Sequence, residues 1–201
     1  MSIDWEKILP TFIHKSSGTT SSILGFIDFI KYDDIEKTKK YCANVRKGIQ
    51  NLEQALRELS ILTHDIEPDI GRFDLISLFD ELYEKYPDTT FISKKEIDIL
   101  EISSDYQLVQ LMFDLLFRLI IINSLPDLTI NINILPSAIE IVCPVFPQKP
   151  FESIRGQWGH EPAVMEHLVE LLTWTLEHER RKNKEYFRMN ITKGYIYDAK
   201  T

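Results

Sequence analysis

The sequence is poor in cysteine. Its 201 residues include Cys42 and Cys143, and neither belongs to a Cys-x-x-Cys pair or to a Cys/His spacing that would bind a metal. Secreted scaffolds held together by disulfides use cysteine far more densely. We therefore interpret both as reduced, buried, small apolar residues of a cytosolic protein.

Targeting and membrane signals are also missing. The first ten residues, MSIDWEKILP, lack the basic and apolar regions of a signal peptide. The longest apolar run, Leu115–Leu125, is too short to span a bilayer and contains Arg118. We expect a soluble, cytoplasmic protein with no membrane partner.

Positive charge is scarce as well. Lysine and arginine total 23 against 31 acidic residues, and the net charge is −8. Nucleic acids and anionic membranes are bound by basic patches, so this balance argues against both as partners.

A heptad pattern over residues 33–63 is the clearest periodic signal. Two series, offset by three residues, repeat every seventh position and predict one long helix with an a/d seam. The first series is Ile35, Cys42, Ile49 and Leu56, and the second is Thr38, Val45, Leu52 and Leu59.

Residues 11–31 predict a second helix, with Pro10 at its start or at a kink. Its middle, residues 15–22, consists almost entirely of poor helix formers, so packing must impose the helix there. A short turn at residues 32–34 makes the two helices antiparallel. One hairpin cannot bury an apolar seam on both helices, and we therefore expect a homodimer that forms a four-helix bundle.

After a linker at residues 64–72, helices and strands alternate, which divides the chain into domains 1–65 and 66–201. The second domain is predicted to be an α/β sandwich with one mixed sheet and helices on one face, so the fold class is α+β. The predicted strands are 89–92, 97–102, 128–134, 138–145 and 185–192, and the predicted helices are 75–85, 105–122 and 161–182.

The segment from Phe12 to Gly25 resembles the phosphoacceptor box of sensor histidine kinases, which typically reads His-Glu-Leu-Arg-Thr-Pro-Leu-Thr-Ser-Ile-Leu-Gly. His14 falls on the phosphorylated histidine, and Ser22–Gly25 matches the end of the box identically. The resemblance implies that the hairpin is a dimerisation and phosphotransfer domain and that residues 66–201 are a kinase catalytic domain.

The nucleotide motifs of that family are replaced. Asp114 and Arg118 stand where the family carries two asparagines for magnesium and phosphates, and arginine cannot coordinate a metal. Cys143 and the five residues after it replace the glycine-containing adenine loop, and of the glycine-rich lid only Gly156 and Gly159 remain. Phosphate sites need the close backbone approach that glycine permits, so we expect no ATP binding and no ATP-dependent kinase activity.

The resemblance implies a histidine phosphotransfer protein that relays phosphoryl groups between response-regulator receiver domains through His14. Lys15 would stabilise the phosphoryl group, and a receiver would dock on Ser17, Gly18 and Ser21. The chain itself would bind no cofactor, and Mg²⁺ would come from the receiver.

Lys15 stands where the family places an acid, and Gly18 stands where a Thr or Asn is linked to phosphatase action, so phosphatase activity is not expected. The alternative is a non-catalytic pseudokinase adaptor that binds and regulates a histidine kinase or a response regulator. Residual ATP binding is a third, disfavoured interpretation.

Overall fold

The computed structural model describes residues 5–30, 34–95, 100–124, 127–135, 137–144, 161–191 and 196–197. By their internal contacts the residues form two compact units, one of residues 1–66 with 155–164 and one of residues 67–154 with 165–201. The division at residue 65/66 stays a prediction.

The first unit contains an antiparallel hairpin of two long helices, as predicted. Helix α1 spans Trp5–Asp28 and helix α2 spans Ile35–Thr63. Asp34 caps α2, because its carboxylate accepts a hydrogen bond from the Lys37 N–H at 3.0 Å. Pro10 lies inside α1 rather than at its start.

The second unit contains two sheets rather than the single sheet that we predicted. Five strands follow the order β2-β4-β5-β7-β6, in which β2 is parallel to β4 and the other pairs are antiparallel. Three strands form a separate antiparallel sheet in the order β1-β3-β8. The strands are β1 Gly71–Asp74, β2 Thr90–Lys95, β3 Glu101–Ser104, β4 Thr129–Leu135, β5 Ala138–Pro144, β6 Thr175–Arg181, β7 Lys184–Asn190 and β8 Ile196–Tyr197.

The helices of this unit are α3 Leu75–Glu84 and α4 Tyr106–Asn123, together with α5 Glu161–Leu171 from Met165 onward. Alternate residues of β4 are buried, so one face of the sheet is covered and the other is accessible. Aromatic rings join α3, α4 and β2 in the core: Phe79 lies 4.7 Å from Phe113, and Phe91 lies 5.2 Å from Phe117 between ring centroids.

Helix α4 is long and apolar enough, by length and composition, to cross a membrane, but 56% of it is buried inside the domain. Its ten buried residues include Phe113 and Phe117 of the aromatic core. It therefore behaves as the central helix of this core.

The predicted helix 161–182 was wrong beyond Leu171. Thr173 has φ 56°, which ends the helix, and Trp174 leads into strand β6. Within the predicted helix, Arg180 and Arg181 lie in β6, and Lys182 has φ 54° in the tight turn to β7. The many charges of this exposed edge strand concealed its period-two alternation.

Two further expectations need correction. Gly71 and Arg72, assigned to the linker, form the start of β1. Cys42 is exposed on α2, whereas Cys143 is buried as predicted. Cys42 occupies an a position of the heptad series, and that series is on the outside of the hairpin.

Candidate functional site

His14 lies on an exposed polar face of α1. Ser17, Gly18 and Ser21 are exposed as well. Their positions are three, four and seven residues after His14, and this spacing places all four on one side of a helix. The structure thus brings together the predicted phosphoacceptor and the three predicted docking residues, and we call them the His14 face.

In the hydroxyl-rich middle of α1, which packing keeps helical, side chains bond to the helix backbone. Thr19, Thr20 and Ser22 each donate a hydrogen bond to the carbonyl four residues earlier, at 2.9–3.0 Å. These bonds satisfy hydroxyl groups that would otherwise compete with helix formation.

Packing against α2 holds α1 in place. A Cβ atom added to Gly48 would lie 2.6 Å from Ile23 Cγ1, so the helices approach closely there. Nearer the turn, Tyr41 contacts the rings of Phe26 and Phe29 with centroid separations of 6.2 and 5.9 Å. These contacts fix the rotation of α1 and thereby the direction of the His14 face.

A stripe of apolar side chains lies exposed along the same hairpin. All four residues of the first heptad series are exposed, whereas all four of the second are half-buried. Helix α1 adds exposed apolar residues at helical spacing. The stripe comprises Leu9, Ile13, Leu24 and Ile27 of α1 and Ile35, Cys42, Ile49 and Leu56 of α2. Around α1 it lies on a different side from His14.

Lys15 forms an ion pair with Glu161, the first residue of α5. Residues 161–164 group with the hairpin in the first unit. The side chain of Glu161 is 9% exposed and that of Lys15 is 51% exposed. Sequence reasoning assigned Lys15 to the phosphoryl group and missed this acidic partner, because no local pattern links residues so far apart in the chain.

In the second unit, Asp114 is the centre of a cluster of charges. Its buried carboxylate accepts hydrogen bonds from Lys85 Nζ and the Tyr86 hydroxyl, both at 2.6 Å. Arg118 Nε lies 3.4 Å from its other oxygen. The two positions where the kinase family carries asparagines are therefore joined to each other by an ion pair.

A second buried carboxylate was not foreseen from the sequence. Glu185 is fully buried and contacts Arg180 Nε and His178 Nε2, each at 2.9 Å. Burial and the neighbouring Glu185 carboxylate raise the pKa of the Cys143 thiol to about 12. Within the part of the chain that the structure describes, no three His, Cys, Asp or Glu side chains are arranged to hold a metal ion.

The segment predicted to replace the adenine loop and the lid, beyond Pro144 and including Gly156 and Gly159, lies outside the described residues. His160 lies there too, and His167 is half-buried on α5.

No protein-family model matches the sequence, and no curated protein matches it significantly. Solved structures do match. The Acinetobacter baumannii histidine kinase AdeS superposes with a TM-score of 0.60 at 18% identity, covering 94% of this chain and 98% of that one. The chain has a sensor-histidine-kinase-like fold.

Two larger proteins share this histidine-kinase-like fold. Histidine kinase ThkA, solved in complex with response regulator protein TrrA, has a TM-score of 0.64 at 17% identity over 93% of this chain and 61% of that chain. Full-length ShkA, in complex with AMPPNP, has a TM-score of 0.62 at 10% identity over 98% of this chain and 47% of that chain. This chain thus spans roughly half to two thirds of their lengths.

Proposed function

We propose that the protein is a cytoplasmic histidine phosphotransfer protein that relays phosphoryl groups between response-regulator receiver domains through His14. The observation that carries the proposal is the exposed His14, aligned on one helix face with the small residues Ser17, Gly18 and Ser21. A face of small side chains lets another domain approach the imidazole closely. The solved complex of ThkA with a response regulator supports a receiver as the partner.

The chemistry requires little from this chain. A ring nitrogen of His14 attacks the phosphorus of an aspartyl phosphate on the receiver, the P–O bond to the aspartate breaks, and the carboxylate leaves. Neutral imidazole is a competent nucleophile near neutral pH. Mg²⁺ held by the receiver would neutralise phosphoryl charge, and Lys15, once released from Glu161, would supply a further cation.

Pairing with a second copy completes the proposed assembly. The exposed apolar stripe has members on both helices, and this number of exposed large apolar side chains on one hairpin supports an interaction site there. A second hairpin carries the same stripe, so a four-helix bundle would bury both stripes in one contact. His14 and Gly18 lie on another side of α1 and would remain open, whereas Ser17, four residues after Ile13, borders the stripe.

We also propose that the second unit does not use ATP. Asp114 already has Lys85, Tyr86 and Arg118 around its carboxylate, so a metal ion would have to displace cations from a buried site. A ligand that binds the native state raises its melting temperature. We expect Mg²⁺-ATP to leave the melting temperature unchanged, and an increase with ATP concentration would refute this part.

The decisive experiment incubates the purified protein with phosphorylated receivers. We expect label on the wild type and on His64→Gln, a matched control that changes another exposed histidine of the hairpin, and none on His14→Gln. Label that persists on His14→Gln would overturn the relay.

The Lys15–Glu161 ion pair favours a second function, a non-catalytic adaptor. The Glu161 carboxylate neutralises Lys15, the cation next to His14 that would otherwise attract a phosphoryl group. A receiver or kinase that binds the wild type and His14→Gln equally, with label on neither, would support the adaptor.

A further inference from the structure

Glu161 is an unusual partner for Lys15. It is nine-tenths buried at the first residue of α5, where the helix dipole favours a negative charge. Lys15 is half exposed and could otherwise move freely in solvent. The carboxylate is therefore the fixed member of the pair, and the lysine ammonium is held where Glu161 lies.

This pairing has a consequence for an incoming phosphoryl group, which is anionic. A free ammonium one residue from His14 attracts such a group, whereas an ammonium already paired with a carboxylate attracts it less. Neighbouring positions on a helix point in different directions, so a lysine held by Glu161 is also turned from the His14 face. Both effects slow phosphorylation of His14.

We propose that Glu161 restrains phosphoryl transfer to His14 by holding Lys15 away from the phosphoryl group. The inference rests on the proposed function and adds a regulatory residue to it. Any event that moves Glu161 from Lys15 releases a cation for the transfer, so Glu161 acts through Lys15 and is a positioning residue.

Phosphoramidate, a small phosphoryl donor, tests the proposal without a receiver. The P–N bond to ammonia breaks as the bond from His14 to phosphorus forms. We expect Glu161→Gln to accelerate phosphorylation of His14, measured by ³¹P NMR, by about two- to fivefold, the range that a partly exposed ion pair corresponds to. Glu161→Asp keeps the charge and should retain the wild-type rate.

Two further variants separate this role from a general change of charge. Glu170→Gln removes the same charge from an exposed position of the same helix and should not change the rate. In a Lys15→Gln background, Glu161→Gln should no longer accelerate the reaction. An unchanged or lower rate in Glu161→Gln alone, or an acceleration that persists without Lys15, would overturn the proposal.

A measurement on the wild type avoids any variant that fails to fold. Acylation by an amine-reactive reagent, followed by mass spectrometry, should be slower at Lys15 than at the exposed Lys40. Equal rates would refute the pairing. If phosphoramidate labels His14 in no variant, this inference falls; if it labels His14 but phosphorylated receivers do not, only the proposed partner falls.

Discussion

At the scale of single residues, the environment of a side chain decides its chemistry more than its type does. The two cysteines illustrate this. Cys143 is buried beside Glu185, and both burial and that charge raise the pKa of its thiol to about 12. Cys42 is exposed on α2. The thiolate is the reactive form, so within a single copy of the chain only Cys42 is available to thiol reagents.

We therefore predict that, in a folded monomer such as the Ile49→Lys variant discussed below, iodoacetamide at pH 8 modifies Cys42 and leaves Cys143 unmodified until the protein unfolds. In the proposed dimer Cys42 lies in the covered stripe and should react more slowly. Peptide mass spectrometry before and after addition of urea measures both sites. Equal modification of the two cysteines in the folded monomer would contradict the buried position of Cys143.

Asp74 is a second residue whose surroundings determine its pKa. Burial alone would raise the pKa of its carboxyl group, but hydrogen bonds from the Leu100 N–H, the Ser77 hydroxyl and the N–H groups of Ile76 and Ser77 outweigh burial and lower it. Asp74 thereby caps α3 and links it to the residue preceding β3.

We predict that Asp74→Ala lowers the free energy of unfolding by about 1 kcal/mol at pH 7. Because the pKa is lowered in the folded state, the carboxylate stabilises the fold above its unfolded pKa and loses this contribution as the pH falls through the folded value. Urea unfolding from pH 7 to pH 3 should show the difference between variant and wild type shrinking. If the difference in unfolding free energy stays constant with pH, the charge of Asp74 does not contribute to stability.

At the scale of elements, the hairpin was predictable and the edge of the sheet was not. The heptad series identified α2, because its apolar positions repeat at helical spacing. Strand β6 has charged residues at five of its seven positions if His178 is counted, so no apolar alternation marks it as a strand in the sequence. In the structure, Glu185 of β7 forms ion pairs with His178 and Arg180. Those contacts depend on β7, which follows only after the turn at Lys182, so local patterns could not indicate them.

The residues of the candidate site also divide into those that a local sequence pattern predicts and those that it does not. His14, Ser17, Gly18 and Ser21 follow from a contiguous motif and helical spacing. Glu161 is distant from Lys15 in the sequence, as Lys85 and Tyr86 are from Asp114, and only the fold brings these partners together.

Close packing of the two helices yields a prediction with a matched control. Gly25→Ala adds a methyl group to open space in α1 and should stabilise the protein by up to about 1 kcal/mol, the difference in helix propensity. Gly48→Ala gains the same propensity but places Cβ against the stiff, branched Ile23, so it should destabilise. Thermal unfolding compares the two variants. Equal stabilisation by both would show that the helices do not approach closely at Gly48.

At the scale of the whole molecule, the hairpin presents more apolar surface than a single copy can bury. Ile49 and Leu56 are each 52% exposed and Ile35 is 68% exposed, all on one side of α2. The proposed dimer would remove this surface from water, and each of these partly exposed side chains would contribute about 1–2 kcal/mol, a share of the value for complete burial.

We predict that Ile49→Lys converts the proposed dimer into a monomer at micromolar concentration, because two lysine ammonium groups would be buried in the contact. Asn51→Lys introduces the same charge at an exposed position outside the stripe and should leave the dimer intact. Light scattering after size-exclusion chromatography measures both masses. A wild-type protein that elutes as a monomer would refute the dimer.

The separation of the His14 face from the apolar stripe on α1 also bears on how such a protein can diverge. In the proposed assembly, pairing would use the stripe side of the helix, and partner choice would use the side that carries His14. Substitutions at Ser21 would then redirect a duplicated copy to a new receiver while it still paired with its parent, and mixed pairs of that kind would connect two signalling routes within one particle.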